Sequence, residues 1–178
     1  FIGVVLIAFF KSKKLDAIGE IIAGLGILFM GMEMMSSAMV PLRSSPEFVN
    51  LVTTFENPLI GILVGAGFTA IIQSSSASVG ILQALAMSGV ITLPSAIYVL
   101  FGQNIGTCIT AVLASIGTGR NAKRTTIIHL SFNIIGTIVF VFISMLTPFA
   151  SFMQSLTPTN IPAQIANVHT VFNVVTTL

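Results

Sequence analysis

The segment from Pro58 to Val90 reads PLIGILVGAGFTAIIQSSSASVGILQALAMSGV, and the four polar residues at its centre, Gln73–Ser76, decide how it folds. As one helix the segment would be about 50 Å long, whereas the hydrocarbon core of a bilayer is roughly 30 Å thick. A fold-back at Gln73 instead gives two arms of about 15 residues each. Such arms are too short to span a bilayer but suit a re-entrant helical hairpin, which we predict over residues 57–90.

The whole chain has the composition of an integral membrane protein. Of its 178 residues, 54% are hydrophobic and 7% are charged, and the mean hydropathy is +1.04. A soluble domain usually carries about 25% charged residues, so this chain cannot cover a soluble surface. Lipid offers no hydrogen-bond partner to a hydroxyl or a carboxamide, and each unsatisfied polar group there costs several kcal/mol. The Gln73–Ser76 run is therefore expected to line a cavity enclosed by protein.

Hydropathy and turn residues divide the chain into three parts. Residues 1–14 are expected to form the end of a preceding transmembrane helix and a cytoplasmic loop, and residues 151–178 a loop and a truncated following helix. Residues 15–150 form one unit of four membrane segments: a transmembrane helix at 15–40, the hairpin at 57–90, a broken transmembrane helix at 93–117 and a transmembrane helix at 125–147. Because the chain begins with Phe1 and both ends fall inside apolar runs, we expect a fragment of a larger protein.

A second break is predicted where polar residues and glycines interrupt an apolar helix, at Gly102–Thr107 (GQNIGT). Glycine frees the backbone, and the amides of Gln103 and Asn104 can replace lost helical hydrogen bonds. The predicted fold is an all-α integral membrane protein, a helical bundle with a re-entrant helical hairpin and a discontinuous transmembrane helix beside its tip.

The basic residues predict the orientation in the membrane. They concentrate in two clusters, Lys11–Lys14 and Arg120–Arg124. If the hairpin enters and leaves on one side, both clusters lie on the same face of the membrane, and the positive-inside rule makes that face cytoplasmic. We therefore predict that loops 11–14 and 118–124 are cytoplasmic. The formal charge of +2 is too small and too divided for a nucleic-acid partner.

The polar residues of the two breaks are the candidate binding groups. Serine hydroxyls and a helix N-terminus attract anions, whereas freed carbonyls and hydroxyl oxygens suit a hard cation such as sodium. Broken helices that pair these roles are typical of secondary transporters. Each candidate also has a structural interpretation: Thr69 can bond within its helix, Asn104 and Thr107 can satisfy their own broken helix, and Asn133 can serve packing.

Enzyme signatures are absent from the sequence. There is no Gly-x-Ser-x-Gly elbow, no Walker loop and no metal-ligand spacing of His and Cys. A serine nucleophile would need a base, and neither break contains a His or an acid. We therefore predict a protein that is not an enzyme and has no cofactor.

Taken in order, the motifs resemble the sodium-dependent phosphate cotransporter family, and in particular its bacterial type II-related branch. The matching stretches cover nearly the whole chain. In order they are GMEMMS at Gly31–Ser36, TAIIQSSSA at Thr69–Ala77, GQNIGT at Gly102–Thr107, NAKR at Asn121–Arg124 and HLSFN at His129–Asn133. That family is built from two inverted repeats, each with a Gln-Ser-Ser-Ser hairpin and an Asn-Ile-Gly-Thr break. This chain resembles the second repeat, because a truncated span and a second His-x-x-Phe-Asn, at His169–Asn173, follow it.

The resemblance implies sodium-coupled symport of inorganic phosphate across the cytoplasmic membrane by alternating access, with sodium as the coupling ion. This chain would supply one half of the site, and the missing inverted repeat the other half. The phosphate candidates are Ser74, Ser75, Ser76 and Thr107, to which the second break adds Asn104; the sodium candidates are Gln73, Ser74, Ser76, Thr107 and Asn133. The family's second Thr after Asn-Ile-Gly-Thr is Cys108 here. Two alternatives stay open: symport of another small oxyanion, and a non-transporting membrane scaffold.

Overall fold

The part of the chain that the structure describes is helical throughout and contains no strand. The structure is a computed structural model and describes residues 1–9, 12–39, 41, 45–47, 50 and 54–177, without the side chains at 36 and 39. Lys11 and half of the residues between the predicted segments 15–40 and 57–90 lie outside the described residues. The prediction of an all-helical fold is confirmed.

From Pro58 onwards the helices follow one another with short turns. They are α1 (Ile2–Phe9), α2 (Lys13–Met39), α3 (Pro58–Ile72), α4 (Ser75–Met87), α5 (Leu93–Gly106), α6 (Ile109–Ser115), α7 (Arg120–Leu146), α8 (Phe149–Leu156) and α9 (Ile161–Thr177). Three stretches are long and apolar enough to cross a membrane: Lys13–Met35, Leu93–Ser115 and Arg120–Leu146. Helices α3 and α4, with 15 and 13 residues, are shorter. At 1.5 Å per residue they measure about 22 and about 20 Å, less than the roughly 30 Å of a hydrocarbon core.

Helix α3 is fixed at both ends by local signals in the sequence. Asn57 caps its N-terminus, where its side chain accepts hydrogen bonds from the backbone N–H groups of Leu59 and Ile60 at 3.0 and 3.4 Å. Pro58 follows as the first helical residue, a position where its missing N–H leaves no bond unmade. At the other end Gln73 has left-handed backbone angles and stops the helix.

Helices α3 and α5 pack through glycines, backbone against backbone. A Cβ atom added to Gly65 would collide with the carbonyl oxygen of Val99, and one added to Gly102 with that of Ile62. Gly61 and Gly106, one turn away on each helix, also lie too close to Tyr98 and Ala66 to admit a Cβ, so both helices carry a Gly-x-x-x-Gly pattern at the contact. The paired positions rise together along both helices, which shows that they run parallel. Small residues allow this close approach, which is common between membrane helices.

Helix α5 is the centre of the fold, because it contacts α3, α4, α7, α8 and α9. Its Phe101 is fully buried against Phe140 of α7 and Phe172 of α9, with ring centroids 5.7 and 5.4 Å away. The Phe140 and Phe172 rings lie 5.0 Å apart. This aromatic cluster joins three helices that are distant in the sequence.

The position of the second break differs from the prediction. Residues Gly102–Gly106 are helical, and α5 gives way to α6 at Thr107 and Cys108 instead. Gly102 and Gly106 are therefore contact surfaces for α3 and not helix breakers. The hydrogen bond from the Cys108 N–H to the Ile105 carbonyl at 3.0 Å tightens the chain at the break.

Two predicted loops are in fact partly helical. Arg120–Arg124, assigned to the loop 118–124, forms the first turn of α7, because Gly117, with φ of 77°, and Gly119 complete the turn before it. Lys13 and Lys14, assigned to the loop 11–14, likewise begin α2. Hydropathy marks the first apolar residues of a helix. Both of these helices begin with basic residues, so each starts earlier than its hydropathy indicates. The loop predicted at the start of residues 151–178 is likewise partly helical, because it contains most of α8.

Candidate functional site

The reversal between α3 and α4 is built on one residue with unusual backbone angles. Gln73 has φ of 58° and ψ of 23°, and its N–H donates to the Thr69 carbonyl at 2.7 Å. Ser74 returns to an extended conformation and Ser75 begins α4. Left-handed angles are uncommon outside glycine, and such residues cluster at functional sites. The turn predicted at Gln73 is where the structure has it.

The start of α4 presents hydrogen-bond donors that are not used inside the protein. The Ser74 Oγ accepts a hydrogen bond from the Ala77 N–H at 3.3 Å and lies 3.4 Å from the Ser76 Oγ. Among the described residues, no acceptor faces the backbone N–H groups of Ser75 and Ser76. Free N–H groups and the helix dipole make such an N-terminus attractive to an anion.

The end of α3 presents the opposite chemistry a few residues away. The last carbonyls of a helix have no partner within it and carry the negative end of the dipole. Because Gln73 and Ser74 alone separate α3 from α4, this end lies beside the donors of Ser75 and Ser76. The reversal, which we call the tip (Gln73–Ser76), therefore offers acceptors for a cation and donors for an anion side by side.

The tip is accessible and uncharged. Gln73 and Ser76 are exposed, and Ser74 and Ser75 are half-buried. Between Asn57 and Gly119 the only ionisable side chains are those of Tyr98 and Cys108. Neutral oxygens and backbone dipoles are thus what the tip can offer to an ion. The described residues also contain no group of three or more His, Cys, Asp or Glu side chains that could hold a metal.

A second polar group lies between α5 and α7 and contains the other predicted site residues. Asn104 and Asn133 are both buried, and each donates through Nδ2 to the carbonyl four residues earlier, that of Leu100 and that of His129, at 3.0 Å. The Thr107 Oγ donates to the Gln103 carbonyl at 2.8 Å. The Thr107 bond uses its only O–H, whereas each asparagine bond uses one of the two amide N–H groups and leaves the Oδ1 as an acceptor. No hydrogen bond among the described residues joins this group to the tip.

Cys108 lies inside this second group. Its buried thiol points at the carbonyls of Asn104 and His129, at 3.8 and 3.9 Å, and faces the Asn133 side chain. The neighbouring His129 is itself exposed. Cys108 therefore connects the two asparagines at the point where α5 breaks.

A third polar group was missed in the sequence. The Thr69 and Ser78 hydroxyls are 2.7 Å apart and fully buried, and the Gln103 Nε2 donates to the Ser78 carbonyl at 3.1 Å. Thr69 thus bonds across the hairpin and not within its own helix. The sequence did contain a signal for this contact. Thr69 precedes Gln73 by four residues and Ser78 follows Ser74 by four, so the two hydroxyls lie at equal distances from the reversal.

Glu20 and Glu33 lie on α2, outside these three groups, and both are exposed.

The repeated His-x-x-Phe-Asn makes the same local hydrogen bond in both copies. Asn173 donates to the His169 carbonyl at 2.7 Å, as Asn133 does to that of His129. Its burial differs: Asn133 is buried, whereas Asn173 is exposed.

The apolar helices and the polar reversal among them define the class: an all-helical membrane protein with polar groups at the ends of its short helices. A profile described as Na+/Pi-cotransporter matches residues 44–159, and the chain belongs to that family. No solved structure shows a significant match.

Three relatives illustrate the similarity. A protein of Bacillus subtilis (strain 168), "Uncharacterized protein YqeW", is 36% identical over 99% of this chain and 57% of its own length. One of Salmonella typhimurium, "Putative inorganic phosphate export protein YjbB", is 27% identical over 88% of this chain and 28% of its own length. The human "Sodium-dependent phosphate transport protein 2B" is 29% identical over 79% of this chain and 22% of its own length. The chain thus spans a little over half of the first relative and about a quarter of the other two.

Proposed function

We propose that this protein carries inorganic phosphate across the cytoplasmic membrane by sodium-coupled symport with alternating access, and that this chain supplies one half of the binding site. The observation that carries the proposal is the tip, where unused N–H groups, three hydroxyls and helix-end carbonyls meet at an exposed reversal. Membership of the Na+/Pi-cotransporter family and the names of two relatives support phosphate as the substrate.

Phosphate binds in this proposal at the start of α4. The hydroxyls of Ser74, Ser75 and Ser76 donate to its oxygens, together with the unused N–H groups. Thr107 is a further proposed ligand, whose O–H must turn from the Gln103 carbonyl to donate to phosphate. Asn104 is proposed to donate through the second N–H of its Nδ2, because the first donates to the Leu100 carbonyl.

Sodium balances the charge of the phosphate. A dianion in a cavity without Lys or Arg needs dipoles, hydroxyls and bound cations to offset the loss of water. The oxygen ligands proposed for sodium are those of Gln73, Ser74, Ser76, Thr107 and Asn133. The Oδ1 of Asn133 suits this role, and the Cys108 thiol beside the Asn133 side chain is a poorer ligand for a hard cation than a threonine hydroxyl.

In the membrane, α3 and α4 form a re-entrant hairpin, because each is too short to cross. The basic residues at the starts of α2 and α7 then face the cytoplasm together. Residues 15–150 act as one transporter repeat, and its inverted counterpart lies elsewhere in the same protein and completes the site around the tip.

The test is phosphate flux with a single hydroxyl removed. Ser75→Ala in the full-length protein is expected to abolish sodium-dependent uptake of radiolabelled phosphate into proteoliposomes, while the protein stays folded. Ser155→Ala is the matched control, because Ser155 is exposed on α8 and bonds only within its helix. Uptake at the wild-type rate by Ser75→Ala would refute the site.

The same assay separates the remaining alternatives. Wild-type protein that gives no flux in either direction is a scaffold and not a transporter. Competition by arsenate, sulfate or carboxylates identifies a symporter of another anion. Because the Salmonella relative is named for phosphate export, vesicles loaded with phosphate should be measured as well. Sodium on the side of uptake must accelerate the flux if coupling is as proposed.

A further inference from the structure

We propose that Thr69, Ser78 and Gln103 form a clasp that sets the position of the tip, and that these three are positioning residues for the substrate. The clasp makes no contact with phosphate itself. The inference rests on the proposed function, since the property it controls is the affinity of the tip for phosphate.

The clasp lies close to the chain reversal. Thr69 is four residues before Gln73 and Ser78 is four residues after Ser74, about 6 Å along each helix axis. The Thr69 and Ser78 hydroxyls are completely buried and 2.7 Å apart, so they hold the end of α3 against the start of α4. The spacing between the carbonyls of one arm and the N–H groups of the other depends on this bond.

Packing between the two arms of the hairpin is weak. Helix α3 contacts α5 far more extensively than it contacts α4. An apolar cavity of about 190 Å³ beside the clasp is lined by Phe68 of α3 and by Ile81 and Leu85 of α4. Among the described residues, the bond between the Thr69 and Ser78 hydroxyls is the side-chain hydrogen bond that joins the arms near the tip.

Gln103 would destabilise the fold if its position needed only packing. It is 2% exposed, and its Oε1 has no hydrogen-bond partner among the described residues. A buried acceptor without a partner destabilises the folded state, and an apolar side chain of similar size would avoid this. The amide does one useful thing here: its Nε2 donates to the Ser78 carbonyl and ties α4 to α5.

Together these contacts connect the tip to the second break. Gln103 holds α4 through Ser78, and its own carbonyl accepts the Thr107 hydroxyl at 2.8 Å. The clasp thus links the two elements that are proposed to share phosphate and sodium. Loosening it is expected to reduce substrate affinity more than turnover or folding.

The test compares four variants of the full-length protein in phosphate uptake. Thr69→Val and Ser78→Ala each remove one hydroxyl and are expected to raise the half-saturating phosphate concentration about tenfold, equivalent to about 1.4 kcal/mol, with the maximal rate within about twofold. The double variant should be no worse than either single one, because both remove the same bond. Thr69→Ser restores the hydroxyl and should recover wild-type affinity.

Thr170→Val is the control, because Thr170 is exposed on α9 and bonds only to the Ala166 carbonyl of its own helix. Its half-saturating concentration should equal that of the wild type. The clasp is overturned if the single variants keep wild-type affinity, if their effects multiply in the double variant, or if Thr69→Ser behaves as Thr69→Val.

A second measurement does not depend on transport. Spin labels on cysteines at Ile71 and Ala77, both exposed on opposite sides of the tip, report the distance between the arms by dipolar broadening in a cysteine-free background. Thr69→Val should reduce the broadening, and an unchanged spectrum would overturn the clasp. If wild-type protein moves no phosphate, the proposed function fails, and the spin labels still decide the clasp.

Discussion

Replacing Gly65 by alanine tests the packing on which the fold depends. The added Cβ would collide with the Val99 carbonyl oxygen and lie 2.8 Å from its carbon and 3.1 Å from the Gln103 nitrogen. These atoms belong to the backbone of α5 and cannot rotate away. Overpacking of this kind costs about 1–3 kcal/mol. Gly67→Ala is the matched control two residues further on, since a Cβ there meets nothing within 4 Å.

The two variants separate the clash from helix propensity. Both glycines lie inside α3, so both changes gain about 1 kcal/mol of helix propensity, and Gly65→Ala alone meets the backbone of α5. The free energies of unfolding should therefore differ by the overpacking cost of about 1–3 kcal/mol, or roughly 2–12 °C in Tm for a chain of this size. Thermal unfolding of the purified protein in detergent, followed by size-exclusion chromatography, measures the difference. If Gly65→Ala is as stable as Gly67→Ala, α3 and α5 do not meet through their backbones.

Two further pairs of variants test the ends of α3. Asn57→Ala removes the N-cap and should lower the free energy of unfolding by about 1 kcal/mol. Asn57→Asp keeps an acceptor for the same N–H groups and should not lower it. Equal Tm values for the two variants would contradict the cap. Gln73→Val places a β-branched residue at φ of 58° and should lower the free energy of unfolding by about 1–2 kcal/mol. Gln73→Gly should be at least as stable as the wild type. The reverse order of Tm values would exclude the left-handed turn.

The reversal at the tip could be predicted because length alone demands it. A helix through Gln73 would exceed the membrane thickness, and a polar run at that point leaves few other places to turn. The structure places the change of direction at Gln73. The cap at Asn57 likewise follows from local chemistry that the sequence displays.

The second break was misplaced because a glycine has two uses that look alike in a sequence. Gly102 and Gly106 suggested a flexible backbone, but their role is to admit α3, and nothing in their own neighbourhood reveals that partner. The same holds for Gln103, whose partner Ser78 lies 25 residues earlier. Contacts between distant segments depend on the arrangement of helices, which periodicity does not specify.

The glycine contact between α3 and α5 has a mechanical consequence. Two helices that meet through side chains can slide as those side chains change rotamer, but backbones in direct contact have no such freedom. A displacement of α3 along its axis must therefore carry α5 with it, and with α5 the junction at Thr107 and Cys108. We therefore expect the first arm of the hairpin and the broken helix to move as one rigid unit, to which the bonds of Ser78 with Thr69 and Gln103 attach α4.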